Sequence, residues 1–334
     1  MSLRVSIVVP TCRRPELLDR CLNALIAQTM APDSYEILLA DDAASTATRR
    51  QVEEFAIKAT CAIRYLSVTD QRAESVSSPV PHGPAAARNA GWRAAHAPLI
   101  AFTDDDTVPD AGWLAAGAAA LERDPELAAV TGQVIVPLPP APTDYQRNEA
   151  GLETAAFVTA NCFCRRDVLE VLGGFDERFL SAWREDSDLH FRLLEYGFKL
   201  RKVPEAIVVH PVRPAPWGIS LRMQRKCQFD ALLYKKHPAL YRKHIWRWPP
   251  LDYYGIILSA AVAVIAAALG TWLACAIALA GWVGLMARFL RRRLRGNSRR
   301  PGHLLEMLIT SLFIPFLSVF WRLYGAAKFR VWFC

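Results

Sequence analysis

The chain has no CxxC pair and no even ladder of closely spaced cysteines. Its eight cysteines, Cys12, Cys21, Cys61, Cys162, Cys164, Cys227, Cys275 and Cys334, are scattered through apolar or helical surroundings. That excludes the disulfide framework of a small secreted domain, and Cys162 and Cys164 lack the further ligands a zinc site needs, so reduced thiols in a cytosolic setting are expected. No cleavable leader is recognisable either. The apolar run Val5 to Val9 is strand-sized, too brief for the core of a signal peptide, so the N-terminal part is expected to stay in the cytosol. Acids are the scarcer charge, 32 Asp and Glu against 40 Lys and Arg, for a net charge of +8. The excess points to an anionic partner. Because the bases crowd into the last third, from Arg222 to Arg300, and flank apolar stretches, phospholipid head groups are the expected counterpart and nucleic acid is not.

What is present is led by Ile100-Ala101-Phe102-Thr103-Asp104-Asp105-Asp106-Thr107-Val108-Pro109. An apolar, strand-like run ends abruptly in three carboxylates. Adjacent like charges repel by roughly 1 kcal/mol or more per pair at surface dielectric, so something is expected to neutralise them. A hard divalent cation, Mg2+ or Mn2+, would do so with one or two protein carboxylates and with water and phosphate oxygens completing its shell. The plain alternative is an acidic turn after a strand, which Asp favours.

Taken in order, the 334 residues leave room for one or two folded units with a sizeable core. Val5 to Val9 is rich in β-branched residues and stops at Pro10-Thr11. Leu17, Leu18, Cys21, Leu22, Leu25 and Ile26 then recur at helical spacing. Tyr35 to Ala40 reads as a second strand and again ends in acids, Asp41-Asp42. A helix from Ser45 to Lys58 and a strand from Ile63 to Val68 follow, then an alanine-rich helix from Gly83 to Trp92. Val130–Val136 and Phe157–Cys164 are further strands, separated by the stiff run Pro137 to Thr143, a candidate acceptor-side or lid segment. A last strand, Val203 to Val209, ends at His210. Strands alternating with helices predict an α/β fold with a mostly parallel sheet, whose ligands collect at the carboxyl ends of the strands.

Ser6-Ile7-Val8-Val9-Pro10-Thr11, Asp41-Asp42, Ala86-Ala87-Arg88-Asn89-Ala90-Gly91, Phe102 to Asp106 and Trp183-Arg184-Glu185-Asp186 stand in the order and spacing of family 2 glycosyltransferases. The chain resembles an inverting, nucleotide-sugar-dependent enzyme of the Rossmann-like GT-A fold over roughly Leu3 to His210. The resemblance implies that Pro10 and Thr11 border the nucleotide, that Asp41 or Asp42 holds the base, and that Arg88 reaches base or phosphate. Cys12-Arg13 stands where the family often has Tyr-Asn, and Ala43 replaces the usual Gly; Arg13 would thus lie beside the nucleotide. Asp104 and Asp106 would be the DxD pair on the metal, with Asp105 as the alternative ligand and with Asp104 and Asp105 also facing the nucleotide. His210 would ligate the metal or touch the diphosphate.

Glu185, Asp186 and Asp188 open a helix with Leu189, Leu193 and Leu194 as its apolar stripe. The helix dipole alone stabilises acids in a first turn. The resemblance instead makes Asp186 of the Glu185-Asp186 pair the general base.

Beyond the resemblance, 216–250 mixes Arg and Lys with aromatic and aliphatic residues, as helices lying in a head-group layer do. Gly255 to Leu290 carries one charge, Arg288. As a single helix it would run roughly 54 Å against a hydrocarbon core of about 30 Å, so it must turn, and Gly270-Thr271 is the natural place. Both flanks are basic, as a hairpin with its ends in the cytosol requires. Leu304 to Trp321 is a third apolar segment, spanning or lying in plane.

The expected organisation is a nucleotide-sugar-binding half (1–110), an acceptor and catalytic half (111–215), interfacial helices (216–250) and a membrane region (251–334) with a hairpin over 255–270 and 271–290 and a third helix over 304–321. The expected protein is a multi-pass enzyme of the cytoplasmic (inner) membrane, with its catalytic domain facing the cytosol. It would move a sugar from a UDP-, GDP- or dTDP-sugar to a lipid-linked or surface-glycan acceptor in cell-envelope polysaccharide biosynthesis. Two alternatives are a processive polysaccharide synthase, for which Arg222 to Lys226 lacks the Gln-x-x-Arg-Trp motif, and a non-catalytic nucleotide-sugar-binding module.

Overall fold

The computed structural model describes residues 2–68 and 82–333; Cys334, counted among the thiols above, lies outside them, and among the described residues the other seven cysteines form no disulfide. The residues group into two compact units. One takes in the chain to Pro137 and from Ala150 to Pro211, the other Leu138–Glu149 and the chain from Val212.

The first unit is built on an eight-stranded sheet. Its strands are β1 (Val5–Thr11), β2 (Tyr35–Asp41), β3 (Ala62–Ser67), β4 (Leu99–Phe102), β5 (Val108–Pro109), β6 (Leu127–Ile135), β7 (Cys162–Arg165) and β8 (Lys199–Val209), in the spatial order β3-β2-β1-β4-β7-β6-β8-β5. The strands β3, β2, β1 and β4 run parallel. β7 is antiparallel to both β4 and β6, β6 and β8 are again parallel, and β5 closes the edge antiparallel to β8. Helices α1 (Pro15–Ile26), α2 (Thr46–Lys58), α3 (Pro84–Arg93), α4 (Trp113–Arg123), α5 (Asp144–Glu149), α6 (Arg166–Leu172) and α7 (Glu185–Glu195) connect or follow the strands. All of these except α5 belong to the sheet unit. Strands β1 and β2 are buried along their whole length, which is why they read as continuous apolar runs and not as alternating patterns.

The strand expected over Phe157–Cys164 is shorter. A 3-10 turn occupies Thr159–Asn161 and β7 starts at Cys162. Asn161 explains the change. Its side-chain amide donates to the carbonyls of Gln133 and Ala206, and its Oδ1 accepts from the Trp113 indole at 2.8 Å. A buried amide so placed outweighs one more ladder step.

The small residues of α3 are a packing device. Ala85, Ala86, Ala87 and Ala90 are buried, and a Cβ added at Gly91 would sit 2.3 Å from Val8 Cγ1. The helix therefore lies almost backbone-to-side-chain on β1, and Arg88 is carried to the carboxyl end of the sheet.

The second unit holds α5, α8 (Ile219–Met223), α9 (Gln228–Lys236), α10 (Pro238–His244) and three long helices, α11 (Leu251–Ala268), α12 (Trp272–Leu294) and α13 (Pro301–Phe329). These last three, of 18, 23 and 29 residues, are long and apolar enough to cross a membrane. α9 crosses α13 closely, because a Cβ at Gly325 would come within 2.4 Å of the Gln228 carbonyl oxygen.

Gly91→Ala should lower the stability of the sheet unit by about 1–3 kcal/mol through overpacking on Val8, although the same exchange in an open helix raises it by about 1 kcal/mol. Thermal melting of the purified protein and its variant checks this, and an equal or higher midpoint in the variant would contradict the packing account.

Candidate active site

Parallel pairing of β1 with β2 and β4 aligns three strand ends. Thr11 stands opposite Asp41 and Val8 opposite Phe102, so Pro10-Thr11, Asp41-Asp42 and the Asp104-Asp105-Asp106 turn share one edge of the sheet. The β5–β8 pairing supplies the rest. With Val108 opposite Val209, Asp106 and His210 emerge side by side, their Oδ1 and Nε2 atoms 3.5 Å apart.

The three acids of the triplet have different surroundings. Asp105 points inward, accepting from Thr11 Oγ1 at 2.8 Å and from Arg14 at 3.0 Å. Burial pushes its carboxyl up to about 6, against the pull of Arg14. Asp104 is the least buried of the three and accepts from Arg88 at 2.7 Å. Burial works against its ionisation, but Arg88 and then His210 hold it below the ordinary Asp range. Thr107 fixes the turn, its Oγ1 donating to the Asp104 carbonyl at 2.7 Å.

Arg88 is the hub. Almost wholly buried, it donates through one nitrogen to Asp104 and through another to Glu185 Oε1 at 3.0 Å. The guanidinium also lies 5.7 Å from the Phe175 ring centre. Arg88 and Glu185, 97 residues apart in sequence, are thereby joined on the same guanidinium that holds Asp104. One cation cannot neutralise two buried carboxylates fully. Burial, with Asp186 adding negative charge, pushes Glu185 up to about 7 despite Arg88. Asp186, half-buried in the first turn of α7, is raised by burial, while the Ser187 N–H it accepts from at 2.6 Å and the Arg184 and Arg88 charges oppose the rise. α7 starts on Arg184, whose φ of +77° lies in the left-handed region, a conformation costly for a residue with a side chain and often found at functional turns.

Asp41 and Asp42 are engaged by the chain itself. Asp41 accepts from the backbone N–H groups of Ala43 and Ser45 and from the Tyr65 hydroxyl. Asp42 accepts from the N–H groups of His82 and Gly83 at 2.8 and 2.6 Å, which binds the β2 end to the start of α3. Arg13 is exposed with φ +56°. The structure thus joins Thr11, Arg88, Asp104, Asp105, Asp106, Glu185 and His210 by direct contacts, links Asp186 to Arg88 through charge, and leaves Arg13 pointing to solvent. Sequence reading missed Arg14 and Tyr65. Arg14 is legible only as a cation in the loop after a strand end, where ligands gather, and Tyr65 carries no local signal.

Asp104, Asp106 and His210 offer ligand atoms that all lie within 4.8 Å of one another. His210 Nδ1 is buried without a hydrogen-bond partner. Two carboxylate oxygens and an imidazole suit a Mg2+ or Mn2+ ion whose other positions go to phosphate oxygens or water.

The description "Glycosyl transferase family 2" fits residues 6–173, and "Glycosyl transferase family group 2" fits residues 99–290. Among curated proteins, the chain is 26% identical over 230 residues to glycosyltransferase AglE of Haloferax volcanii, covering 66% of this chain and 70% of that protein. It is 25% identical over 286 residues to validoxylamine A glucosyltransferase of Streptomyces hygroscopicus subsp. limoneus, covering 72% and 58%. It is 35% identical over 155 residues to a pre-mycofactocin glycosyltransferase of Mycobacterium tuberculosis, covering 42% of this chain but 32% of that one. The fold is shared with a solved structure, the mannosyltransferase PcManGT from Pyrobaculum calidifontis in complex with GDP-Man and Mn2+, at a TM-score of 0.60, 20% identity and coverage of 94% and 88%.

Isothermal titration with Mn2+ is expected to show one site, weakened roughly tenfold or more in Asp106→Asn by loss of an anionic ligand. Equal affinity in the variant would remove the Asp104-Asp106-His210 site.

Proposed function

The chain belongs to glycosyl transferase family 2, and on that footing we propose that it transfers a sugar from a nucleoside-diphosphate donor to a hydroxyl-bearing, lipid-linked or surface-glycan acceptor with inversion at the anomeric carbon. The single observation that carries the reading is Arg88 binding Glu185 and Asp104 at once. It draws the helix acids and the strand-end acids toward one cleft.

In this reading Asp104, Asp106 and His210 hold Mg2+ or Mn2+, and the ion, when bound, neutralises charge on the leaving diphosphate. Thr11, Pro10, Asp42 or Asp41, Arg13 and Asp105 border the nucleotide. Arg88 is placed to turn a guanidinium N–H toward phosphate oxygens, for which its planar fork is suited. Asp186 accepts the proton of the acceptor hydroxyl as that oxygen attacks the anomeric carbon from the side opposite the diphosphate, the geometry that inverts the centre. Glu185 accepts from Arg88 and so keeps that guanidinium in place.

The three apolar helices and their basic flanks support a multi-pass protein of the cytoplasmic membrane with the transferase part in the cytosol. An acceptor carried by a lipid suits an enzyme so anchored. The donor is proposed to be a UDP-, GDP- or dTDP-sugar.

Asp186→Asn should fold and bind nucleotide as before but lose transfer by about 10²- to 10⁴-fold, the usual contribution of a positioned base. Near-normal turnover would remove the assignment. The base must be ionised to act, and burial raises Asp186. The acid limb of kcat/KM should therefore rise with pH through a midpoint above the ordinary Asp value of about 4. A limb at or below that value would count against a buried base.

A further inference from the structure

Within the helical unit, the three long apolar helices are packed in different ways. Asp252, in the first turn of α11, binds Arg288 and Arg292 near the end of α12, so α11 and α12 form a hairpin whose basic end is its base and whose tip is Leu269 to Thr271. Away from the base the hairpin is bare. Leu258, Val262, Ile265, Leu273, Ile277 and Leu279 are all exposed, as on helices whose sides meet lipid. Ile314, at the middle of α13, packs with Ile256 from the second turn of α11 and with Met286 and Phe289 from the last three turns of α12. A third span lying beside the hairpin would set its own middle against the hairpin's middle. Here the middle of α13 crosses at the base.

Short polar elements cover the rest of the buried face of α13. Glu306 accepts the Gly218 N–H at 2.8 Å. Arg293, buried near the end of α12, donates to Thr310 Oγ1 at 2.7 Å, to Ser311 Oγ at 3.0 Å and to Asp144 Oδ2 at 2.7 Å. Further along, Gln228 passes over Gly325, Arg322 is buried 4.0 Å from Asp230, and Lys235 Nζ donates to the Phe329 carbonyl at 2.7 Å. The short helices α8, α9 and α10 have 5, 9 and 7 residues, against about 20 for a span. They and the turn between them carry Arg222, Arg225, Lys226, Lys235, Lys236 and Arg242. Such elements stay out of hydrocarbon, and a helix held by them from Glu306 to Phe329 stays at their level.

Resting on the multi-pass reading proposed above, we infer that α13 does not cross the bilayer but lies along the leaflet at the hairpin base. The chain then has two spans, α11 and α12, and α13 ends on the side of the membrane from which α11 sets out. The surface that meets the leaflet is a ridge. Leu305, Leu308, Leu312, Phe316, Phe320 and Leu323 recur every three or four residues and are exposed, while His303, Thr310, Ser311, Ser318 and Arg322 lie on the opposite, buried face. An apolar side and a polar side kept apart over the whole length are the pattern of a helix sunk into the boundary between head groups and acyl chains. Charge fits the same partner. Arg225 lies 5.7 Å from the Trp321 ring centre and Lys328 lies 5.9 Å from that of Tyr324, which sets cations for lipid phosphates beside rings that settle at head-group depth. The ridge continues the lipid-facing surface of the hairpin, so one leaflet covers both.

The test uses the full chain with Cys12, Cys227, Cys275 and Cys334 replaced by alanine, which leaves the buried thiols. Single cysteines are introduced at exposed positions by Leu269→Cys at the hairpin tip, Arg299→Cys in the loop after α12 and Arg330→Cys after α13. Inside-out membrane vesicles from a bacterial host are treated with a membrane-impermeant maleimide before and after opening with detergent. The Arg299→Cys and Arg330→Cys proteins should react in closed vesicles, and the Leu269→Cys protein only in opened ones. If Arg330→Cys behaves like Leu269→Cys and unlike Arg299→Cys, α13 crosses and the proposal is overturned. If Leu269→Cys behaves like Arg299→Cys, the hairpin itself does not cross, and the multi-pass reading falls and takes the proposal with it. Depth is read separately, from nitroxide labels on Leu305→Cys, Phe316→Cys and Leu323→Cys in phospholipid vesicles, by collision with oxygen and with a nickel chelate. All three should report one depth, about 5–10 Å into the head-group and acyl boundary. A spanning helix would set the Phe316→Cys label about 16 Å deeper than the one on Leu305→Cys, at a rise of about 1.5 Å per residue, and that profile overturns the proposal. Suppressed collision with both reagents at all three positions would mean that a second protein surface covers the ridge, and overturns it too.

Discussion

One buried guanidinium organises the catalytic region. Arg88 cannot be moved from the sheet edge without stranding two carboxylates, and neither carboxylate can be lost without leaving a buried cation half-satisfied, a defect worth about 3–5 kcal/mol. Its position depends in turn on α3 lying flat on β1, which the run of alanines and Gly91 allows. The next residue, Asn89, serves the same end. Its amide donates to the Phe175 carbonyl and to Glu177, and its Oδ1 accepts from the Phe175 N–H and the Trp92 indole. A motif that reads as ligand-binding thus divides its labour, with Arg88 facing the site and its neighbours holding the scaffold.

The sheet contributes by changing direction. Four parallel strands bring their carboxyl ends to one edge, and the antiparallel insertion of β7 then lets β8 return with β5 beside it. Only that reversal puts His210 against Asp106, two residues 104 positions apart by number but two strands' ends apart in space. The acids of the triplet are then sorted by depth. Asp105 is absorbed into the fold by Thr11 and Arg14, which leaves Asp104 and Asp106 as the pair that shares a face with His210.

Much of this was legible from local pattern. The strand ends with their acids, the alanine-rich helix, the acidic first turn of α7 and the three apolar helices all follow from periodicity and composition, which are properties of short windows. What was not legible is long-range. Nothing around Arg88 says that it will contact Glu185 and Asp104, and nothing around Asp41 announces Tyr65. Phe157–Asn161 has the composition of a strand, yet the Asn161 amide diverts it. The division of the chain was hardest to see, because 138–149 sits between two sheet strands in sequence and its partners lie in helices near the other end.

That last feature bears on how the molecule is made. Asp144 and Arg293 are separated by 149 residues, so during synthesis the carboxylate waits, unmatched, until almost the whole chain has emerged. Contacts of such span close late because of the loop entropy they must overcome. A fragment ending at Pro211 would keep every described strand but would carry 138–149 without the helical residues that hold it, and the sheet unit studied in isolation would differ from the same unit in the whole chain at that one place.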